Sequence, residues 1–349
     1  MPATKTVLVC EARVPLVRGG AELHVRGLVA ELRRHGCRAE IASVPFKWYP
    51  KEELLAQAAA WRMIDLSEAN GQPIDLVIAT KFPTYFVRHP RKVTWLFHQY
   101  RAIYDLAGTP FSDFTHSEAD VRLRDRLVAL DNRMLGESAR LFSNSRNTAR
   151  RVARYNGLAA EPLYHPPPLA GRLRRGPSGD YFLSVGRLEA NKRVGLAIAA
   201  LAHAPGARLV VAGDGPLRPQ LEADASAAGV ADRVTFAGAV DDDALIGLYA
   251  GARAVVFPPY DEDYGYITLE AFLSGKPVIT TTDAGGPLEF VEDGVTGCVV
   301  DPTPDAIAGA IDRLARDPAR ASRLGDAGCE RAGSITWDGV VERLLECAA

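Results

Sequence analysis

Residues 164–179 read Tyr-His-Pro-Pro-Pro-Leu-Ala-Gly-Arg-Leu-Arg-Arg-Gly-Pro-Ser-Gly. Three successive prolines followed by Gly-Pro-Ser-Gly can form neither a helix nor a central strand, so the stretch reads as a linker. It decides the fold because the same rhythm runs on both sides of it. Upstream, strands are expected at Thr6–Cys10, Ala39–Val44, Asp75–Ala79, Val93–Phe97 and Arg140–Ser143. Between the first two, Val25, Leu28, Val29 and Leu32 recur at helical spacing until Gly36 stops the helix. Asn144-Ser145 caps a short basic helix, Arg146–Tyr155, and Gly157 follows its end. Downstream, strands at Tyr181–Val185, Ala207–Ala212, Val234–Ala237, Ala254–Phe257, Pro277–Thr280 and Cys298–Val300 again alternate with helices. Such alternation argues for parallel sheets with helices on both faces. The expected fold class is α/β, two doubly wound domains facing across a cleft, with ligands beyond the carboxyl ends of the strands. The boundaries expected are 1–165 for the first domain, 166–179 for the linker, 180–334 for the second domain and 335–349 for a final helix.

Composition narrows the class. The chain has 349 residues, 47% hydrophobic and 24% charged, which excludes wholesale disorder. No apolar run reaches the ~20 residues of a membrane helix. Met1–Cys10 has an apolar stretch too short for a signal peptide, and five cysteines stand singly, so a cytoplasmic protein with reduced thiols is expected. Residues 1–170 hold 24 Lys and Arg against 17 Asp and Glu, whereas residues 171–349 hold 17 against 26. A basic half joined to an acidic half suggests two different duties. Arg122, Arg124, Arg126, Arg133, Arg146, Arg150, Arg151 and Arg154 crowd the end of the first half. They offer either a peripheral contact with anionic lipid at the inner membrane face or a plain solvated surface. No nucleic-acid partner is expected, since no binding module accompanies the charge.

A second stretch carries the chemistry: residues 258–277, Pro-Pro-Tyr-Asp-Glu-Asp-Tyr-Gly-Tyr-Ile-Thr-Leu-Glu-Ala-Phe-Leu-Ser-Gly-Lys-Pro. A strand ends in prolines, a loop carries Glu262 and Gly265, and a helix begins near Tyr266 with Glu270 in its first turns. Amides at a helix start beside a glycine make an anion site. Flanking carboxylates can accept hydrogen bonds from vicinal hydroxyls, which sugars and riboses offer in pairs.

Glu262 and Glu270, with Gly265 between them, resemble the E-x7-E signature of retaining glycosyltransferases of family 4, which have the GT-B fold of two Rossmann-like domains. Gly19-Gly20, Asn144-Ser145, Gly186-Arg187-Leu188 with Lys192, Gly213-Asp214-Gly215-Pro216 and Gly285-Gly286-Pro287-Leu288-Glu289 stand where that family has its motifs. The Trp337–Ala349 helix looks like the family's terminal segment that crosses back to the first domain. The resemblance implies a hexosyltransferase that moves a sugar, with retention, from a nucleotide sugar to a glycan or lipid-linked acceptor in cell-surface polysaccharide or glycolipid assembly. It implies that Glu262 meets hydroxyls of the donor sugar and Glu270 the ribose diol. Backbone at Gly265, Tyr266, Ile267 and Thr268 would meet sugar and diphosphate, Arg187 and Lys192 would neutralise the diphosphate, and Gly20 would approach it from the first domain. His98 would stand near the transferred sugar, with Val240 beside the nucleobase, UDP or GDP. No cofactor is implied, because two cations and a helix start can stabilise the leaving group without a metal.

Asp261-Glu-Asp263 and Asp241-Asp242-Asp243 both spell D-x-D, which can hold Mg2+ against phosphates. The first lies inside a segment already read as metal-free, and the second reads as an acidic helix cap. A P-loop and a GxGxxG after the first strand are absent from the sequence, which speaks against nucleoside triphosphatases and nicotinamide dehydrogenases. A nucleotide-sugar epimerase or hydrolase and a non-catalytic sugar-nucleotide-binding subunit remain open as alternatives.

Overall fold

The computed structural model describes residues 4–16 and 19–348. The first residues of the expected Met1–Cys10 segment, Val17, Arg18 and the last residue of the expected Trp337–Ala349 helix lie outside the described residues. The chain divides into two compact units, Met1–Pro168 with Thr336–Ala349, and Leu169–Ile335.

The first unit is built on six parallel strands: β1 (Thr6–Arg13), β2 (Arg38–Pro45), β3 (Leu76–Ala79), β4 (Lys92–Leu96), β5 (Arg140–Ser143) and β6 (Glu161–Pro162). They lie in the order β2-β1-β3-β4-β5-β6. All four residues of β3, Leu-Val-Ile-Ala, are buried, as expected of a strand covered on both faces. Helix α1 (Gly20–Arg34) packs Val25, Leu28, Val29 and Leu32 onto this sheet, the face its spacing announces. Helices α2 (Glu53–Met63), α3 (Glu118–Gly136) and α4 (Arg146–Asn156) follow. Ser145 Oγ accepts from the Thr148 amide at 3.0 Å to start α4, and Gly157 ends it at φ +65°.

The second unit repeats the plan with β7 (Tyr181–Val185), β8 (Arg208–Ala212), β9 (Val234–Gly238), β10 (Ala254–Val256), β11 (Val278–Thr281) and β12 (Gly297–Val300), in the order β9-β8-β7-β10-β11-β12. Its helices are α5 (Val194–Ala200), α6 (Arg218–Ala227), α7 (Asp242–Gly251), α8 (Tyr266–Leu273), α9 (Pro304–Arg316) and α10 (Pro318–Gly333). In both sheets the chain runs outward one way and then returns to the other side of the first strand. The switch points lie between β1 and β3 and between β7 and β10, where the carboxyl ends of neighbouring strands send their loops apart and leave a crevice.

The last helix, α11 (Trp337–Leu345), belongs to the first unit. Val340, Val341 and Leu344 join the core of Val25 and Leu28, and Trp337 Cζ2 lies 3.4 Å from where a Cβ on Gly27 would stand. Arg34 pairs with Asp338, and Lys5 Nζ donates to the Leu345 carbonyl at 3.1 Å.

The proline-rich stretch is less free than its composition suggests. His165 reads from sequence as a linker residue, yet it is 1% exposed in the first unit, with Nε2 2.6 Å from Nδ1 of buried His24. Trp95 and Trp337 enclose the pair, their ring centroids 4.5 Å and 5.8 Å from that of His24. Farther on, Arg172 pairs with Asp242 and Asp243, Lys276 Nζ donates to the Gly176 carbonyl, and the Gly179 amide donates to Gly251. The second part of the stretch is therefore docked on the second unit.

Burial drives the pKa of His165 down to about 3, and burial together with the His165 charge drives that of His24 well below the usual imidazole value. Both rings are neutral when folded and take protons below ~6.5 once unfolded, so acid favours the unfolded state. Each imidazole should cost the first unit about 1.4 kcal/mol between pH 7.5 and 5.5. The four tryptophans, Trp48, Trp61, Trp95 and Trp337, all belong to this unit, so tryptophan fluorescence in urea melts reads it alone. His165→Gln should remove about half of this loss.

Candidate functional site

Two loops leave the switch point of the second sheet. One follows β7 and carries Gly186, Arg187 and Lys192; the other follows β10 and carries Glu262 and Gly265. The structure brings Lys192 and Glu262 together: Nζ and Oε2 are 2.5 Å apart, and each side chain is 18% exposed. At this depth the pair is only partly screened by water, and an anion entering would compete with Glu262 for the ammonium. Arg187, on the same loop, is exposed and its guanidinium pairs with Glu189 at 2.7 Å.

Glu262 is held by its backbone. Its amide donates to the Ala284 carbonyl at 2.8 Å, and its carbonyl accepts from Gly286 at 2.7 Å, an isolated parallel bridge to the loop after β11. A Cβ on Gly286 would stand 2.7 Å from the Asp263 carbonyl oxygen, so only glycine allows the two loops this approach. Gly265 begins α8 at φ +85°, and a Cβ there would stand 3.0 Å from Pro287 Cγ. Tyr266 and Ile267 form the first turn of α8 and are partly exposed. Thr268 is fully buried and its amide donates to the Gly265 carbonyl at 3.0 Å, which turns that amide back into the chain.

Glu270 lies one turn into α8, 8% exposed, with Oε2 accepting from the Tyr249 hydroxyl of α7 at 2.7 Å. Burial raises its pKa against the opposing hydrogen bond from Tyr249. Val240, partly exposed, follows the carboxyl end of β9. Asp241 caps α7, its carboxylate accepting from Ala244 at 2.8 Å, while Asp242 and Asp243 pair with Arg172. Among the described residues, no group of three or more His, Cys, Asp or Glu is placed to hold a metal ion.

Arg193 is the residue the motif reading missed. It stands beside Lys192 in the left-handed region, φ +50°, and joins the loop after β7 to those after β10 and β11. Its Nε donates to Pro258 O at 2.8 Å and Nη2 to Pro259 O at 2.7 Å. Nη1 and Nη2 also grip the Asp283 carboxylate at 2.8 and 2.6 Å, the bidentate geometry a guanidinium favours. Burial opposes the charge on Asp283, but Arg193 and Thr281 outweigh it and hold its pKa below the usual carboxylate value. The Asp283 carbonyl in turn accepts from the Asp261 amide at 2.9 Å. The sequence shows only one more basic residue after Lys192; nothing local announces partners up to 90 positions away.

The first unit presents the remaining expected residues. Gly20 opens α1, but the helix start is already served: the Glu22 carboxylate accepts from the Gly19 amide at 2.9 Å and faces Lys81 Nζ at 3.3 Å. His98 follows β4, and its Nδ1 donates to the Gln99 carbonyl at 2.9 Å. The arginine-rich end mixes exposed and buried side chains. Arg151 is buried against Asp105, Arg122 pairs with Glu118, and Arg124 with Asp125, so Arg150, Arg151 and Arg154 do not form one exposed face.

Arg193→Ala should leave both sheets intact and loosen the loop that carries Glu262. Hydrogen exchange at the Asp261 and Glu262 amides is expected to accelerate roughly 10-fold or more, the equivalent of losing one charge-assisted hydrogen bond. Unchanged protection there would refute the clamp.

Residues 172–331 match the family described as Glycosyl transferases group 1. A D-inositol 3-phosphate glycosyltransferase from Segniliparus rotundus is 27% identical over 94% of this chain and 83% of its own length. Seven further relatives, 34–38% identical, align over only 35–53% of their own length. Sucrose-phosphate synthase from Thermosynechococcus elongatus superposes with a TM-score of 0.75 at 20% identity, covering 98% of both chains. HepE of Anabaena in complex with UDP-glucose does so at 0.72 and 18%, covering 97% of this chain and 98% of that one. No helix among the described residues is long and apolar enough to cross a membrane. The chain thus has the GT-B fold, and residues 172–331, within its second unit, match the group 1 glycosyl transferases.

Proposed function

We propose that the protein is a retaining, metal-independent glycosyltransferase of the E-x7-E type, taking a nucleoside diphosphate sugar as donor and a glycan or lipid-linked hydroxyl as acceptor. The observation that carries this reading is the Lys192–Glu262 pair at the switch point of the second sheet, beside the start of α8 and one turn from buried Glu270. The UDP-glucose held by the similarly folded HepE supports UDP as the nucleotide.

The donor diphosphate competes with Glu262 for Lys192, and the Glu262 carboxylate accepts hydroxyls of the sugar. Ribose hydroxyls donate to Glu270, whose burial makes a hydrogen-bonding partner worth more there than in water. Arg187, Lys192 and the first-turn amides of α8 meet the charge that grows on the leaving group. The acceptor oxygen bonds to the anomeric carbon on the face the diphosphate is leaving. The bond from that carbon to the phosphate oxygen breaks with its electron pair going to the diphosphate, and the acceptor proton passes to a phosphate oxygen. His98, after β4, stands near the transferred sugar in this reading.

Glu270→Ala should weaken donor and free nucleotide alike, each roughly 10–150-fold, the worth of a charge-assisted hydrogen bond. Glu262→Ala should weaken the intact donor far more than the bare nucleotide. Calorimetry with UDP-glucose and UDP reads both, and an equal loss for both ligands in both variants overturns the division of roles. Activity should survive EDTA; complete loss that Mg2+ restores would revive Asp261 and Asp263 as ligands.

A further inference from the structure

At the amino ends of its strands, on the far side of the sheet from the crevice between β1 and β3, the first unit encloses a cavity of about 310 Å³. Lys92 opens β4, Val87, Arg88 and Pro90 lead into that strand, Arg62 stands in the last turn of α2, and Glu137 follows α3. The volume is at the lower end of the range for small-molecule sites.

Its charges do not balance. Arg62 grips the Glu137 carboxylate through Nη1 and Nη2 at 2.6 and 3.2 Å. The same carboxylate also faces Lys92 Nζ and, from α3, Arg133 Nε, each at 3.9 Å. Arg88 adds an exposed guanidinium, and the only other carboxylate on the wall, Asp65, already accepts from the Ser67 amide at 2.9 Å. Four cations thus meet two carboxylates. Two helices end here, and their last carbonyls favour positive charge. That accounts for Lys92, whose Nζ donates to the Met134 carbonyl of α3 at 3.1 Å and to the Tyr85 carbonyl at 2.7 Å. It does not account for Arg88, which lies on neither helix.

Lys92 is 2% exposed. Burial pulls its pKa down to about 8 against the charge of Glu137, and Arg62 adds to the fall. An anion brought beside it would favour the ammonium, which a neutral ligand would not. Guanidinium forks match the paired oxygens of an oxyanion, and an excess of positive charge suits a dianion better than a carboxylate. Val87 and Pro90 leave an apolar wall for a short carbon skeleton. We propose that this cavity binds a phosphate dianion, free or as the monoester of a small metabolite, held by Arg62 and Arg88 over Lys92. The proposal is independent of the glycosyltransferase reading and of the diphosphate role given to Lys192.

Calorimetry on the full chain with inorganic phosphate and with glycerol 3-phosphate tests it. At least one of them should bind saturably, the tighter of the two identifying the source. Arg88→Gln and Arg62→Gln should each weaken that binding roughly 10-fold or more, the worth of a charge-assisted hydrogen bond. Arg88 is exposed, so its variant keeps the fold whatever becomes of the Arg62–Glu137 pair. Lys192→Ala, in the second unit, should bind phosphate like the parent. Both ligands are dianions from about pH 8, so a further pH dependence belongs to the protein. The groups that face Lys92 are Glu137, Arg62 and, from β1, the Cys10 thiol, which burial pushes up to about 12. His89, on the same wall, spends both ring nitrogens on backbone, accepting from the Arg91 amide and donating to the Ile74 carbonyl, each at 3.0 Å. Affinity should therefore fall about 10-fold between pH 8 and 9.5, as Lys92 loses its proton. No saturable binding of either ligand up to ~10 mM, both arginine variants binding like the parent, a loss confined to Lys192→Ala, or an affinity flat across that pH interval would each overturn the proposal.

Discussion

The candidate site depends on one guanidinium. Arg193 joins the loop after β7 to the loops after β10 and β11, through two carbonyls, one hydroxyl and a bidentate carboxylate. These loops leave three neighbouring strands at the edge where the sheet reverses direction, so nothing in the ladder itself fixes their mutual positions. A planar group with five donors can do so because it satisfies buried carbonyls and a carboxylate at once. The left-handed backbone at Arg193 costs of order 1 kcal/mol, which the bonds it makes can offset.

Rigid backbone around a soft ion pair is the consequence. Glu262 is bound by its main chain to Ala284 and Gly286, while its carboxylate pairs with the flexible side chain of Lys192. A ligand can therefore take the ammonium without moving the loop. Glu270 is the opposite case, sunk in α8 and tied to Tyr249 of α7. One carboxylate is arranged to exchange partners and the other to keep its place, which is how two residues of one type can serve two parts of a ligand.

The first unit handles its polar groups differently. His24 and His165 face each other among Trp95, Phe97 and Trp337, and sharing one hydrogen bond lets two neutral rings sit in an apolar core. The cluster ties α1, the sheet, the segment before the proline run and α11 into one core. The last helix is thereby part of the first unit although the whole second unit separates it in sequence.

How much of this the sequence carries can be judged residue by residue. Local features were legible: the spacing of Val25, Leu28, Val29 and Leu32, the cap at Ser145, the buried run Leu76–Ala79, and the strand, loop and helix around Glu262 and Gly265. Each is set by neighbours a few positions apart, through helical period, turn chemistry and burial on both faces. The strand order, the pairing of Lys192 with Glu262, the reach of Arg193 to Asp283, the sinking of His165 and Arg151 into the interior and the tie of Glu270 to Tyr249 were decided only by tertiary structure. Those contacts join residues 21 to 141 positions apart, and they form because two sheets reverse direction at their first strand. Local pattern settles which segments are strands and helices; which loops then meet depends on where each strand takes its place in the sheet.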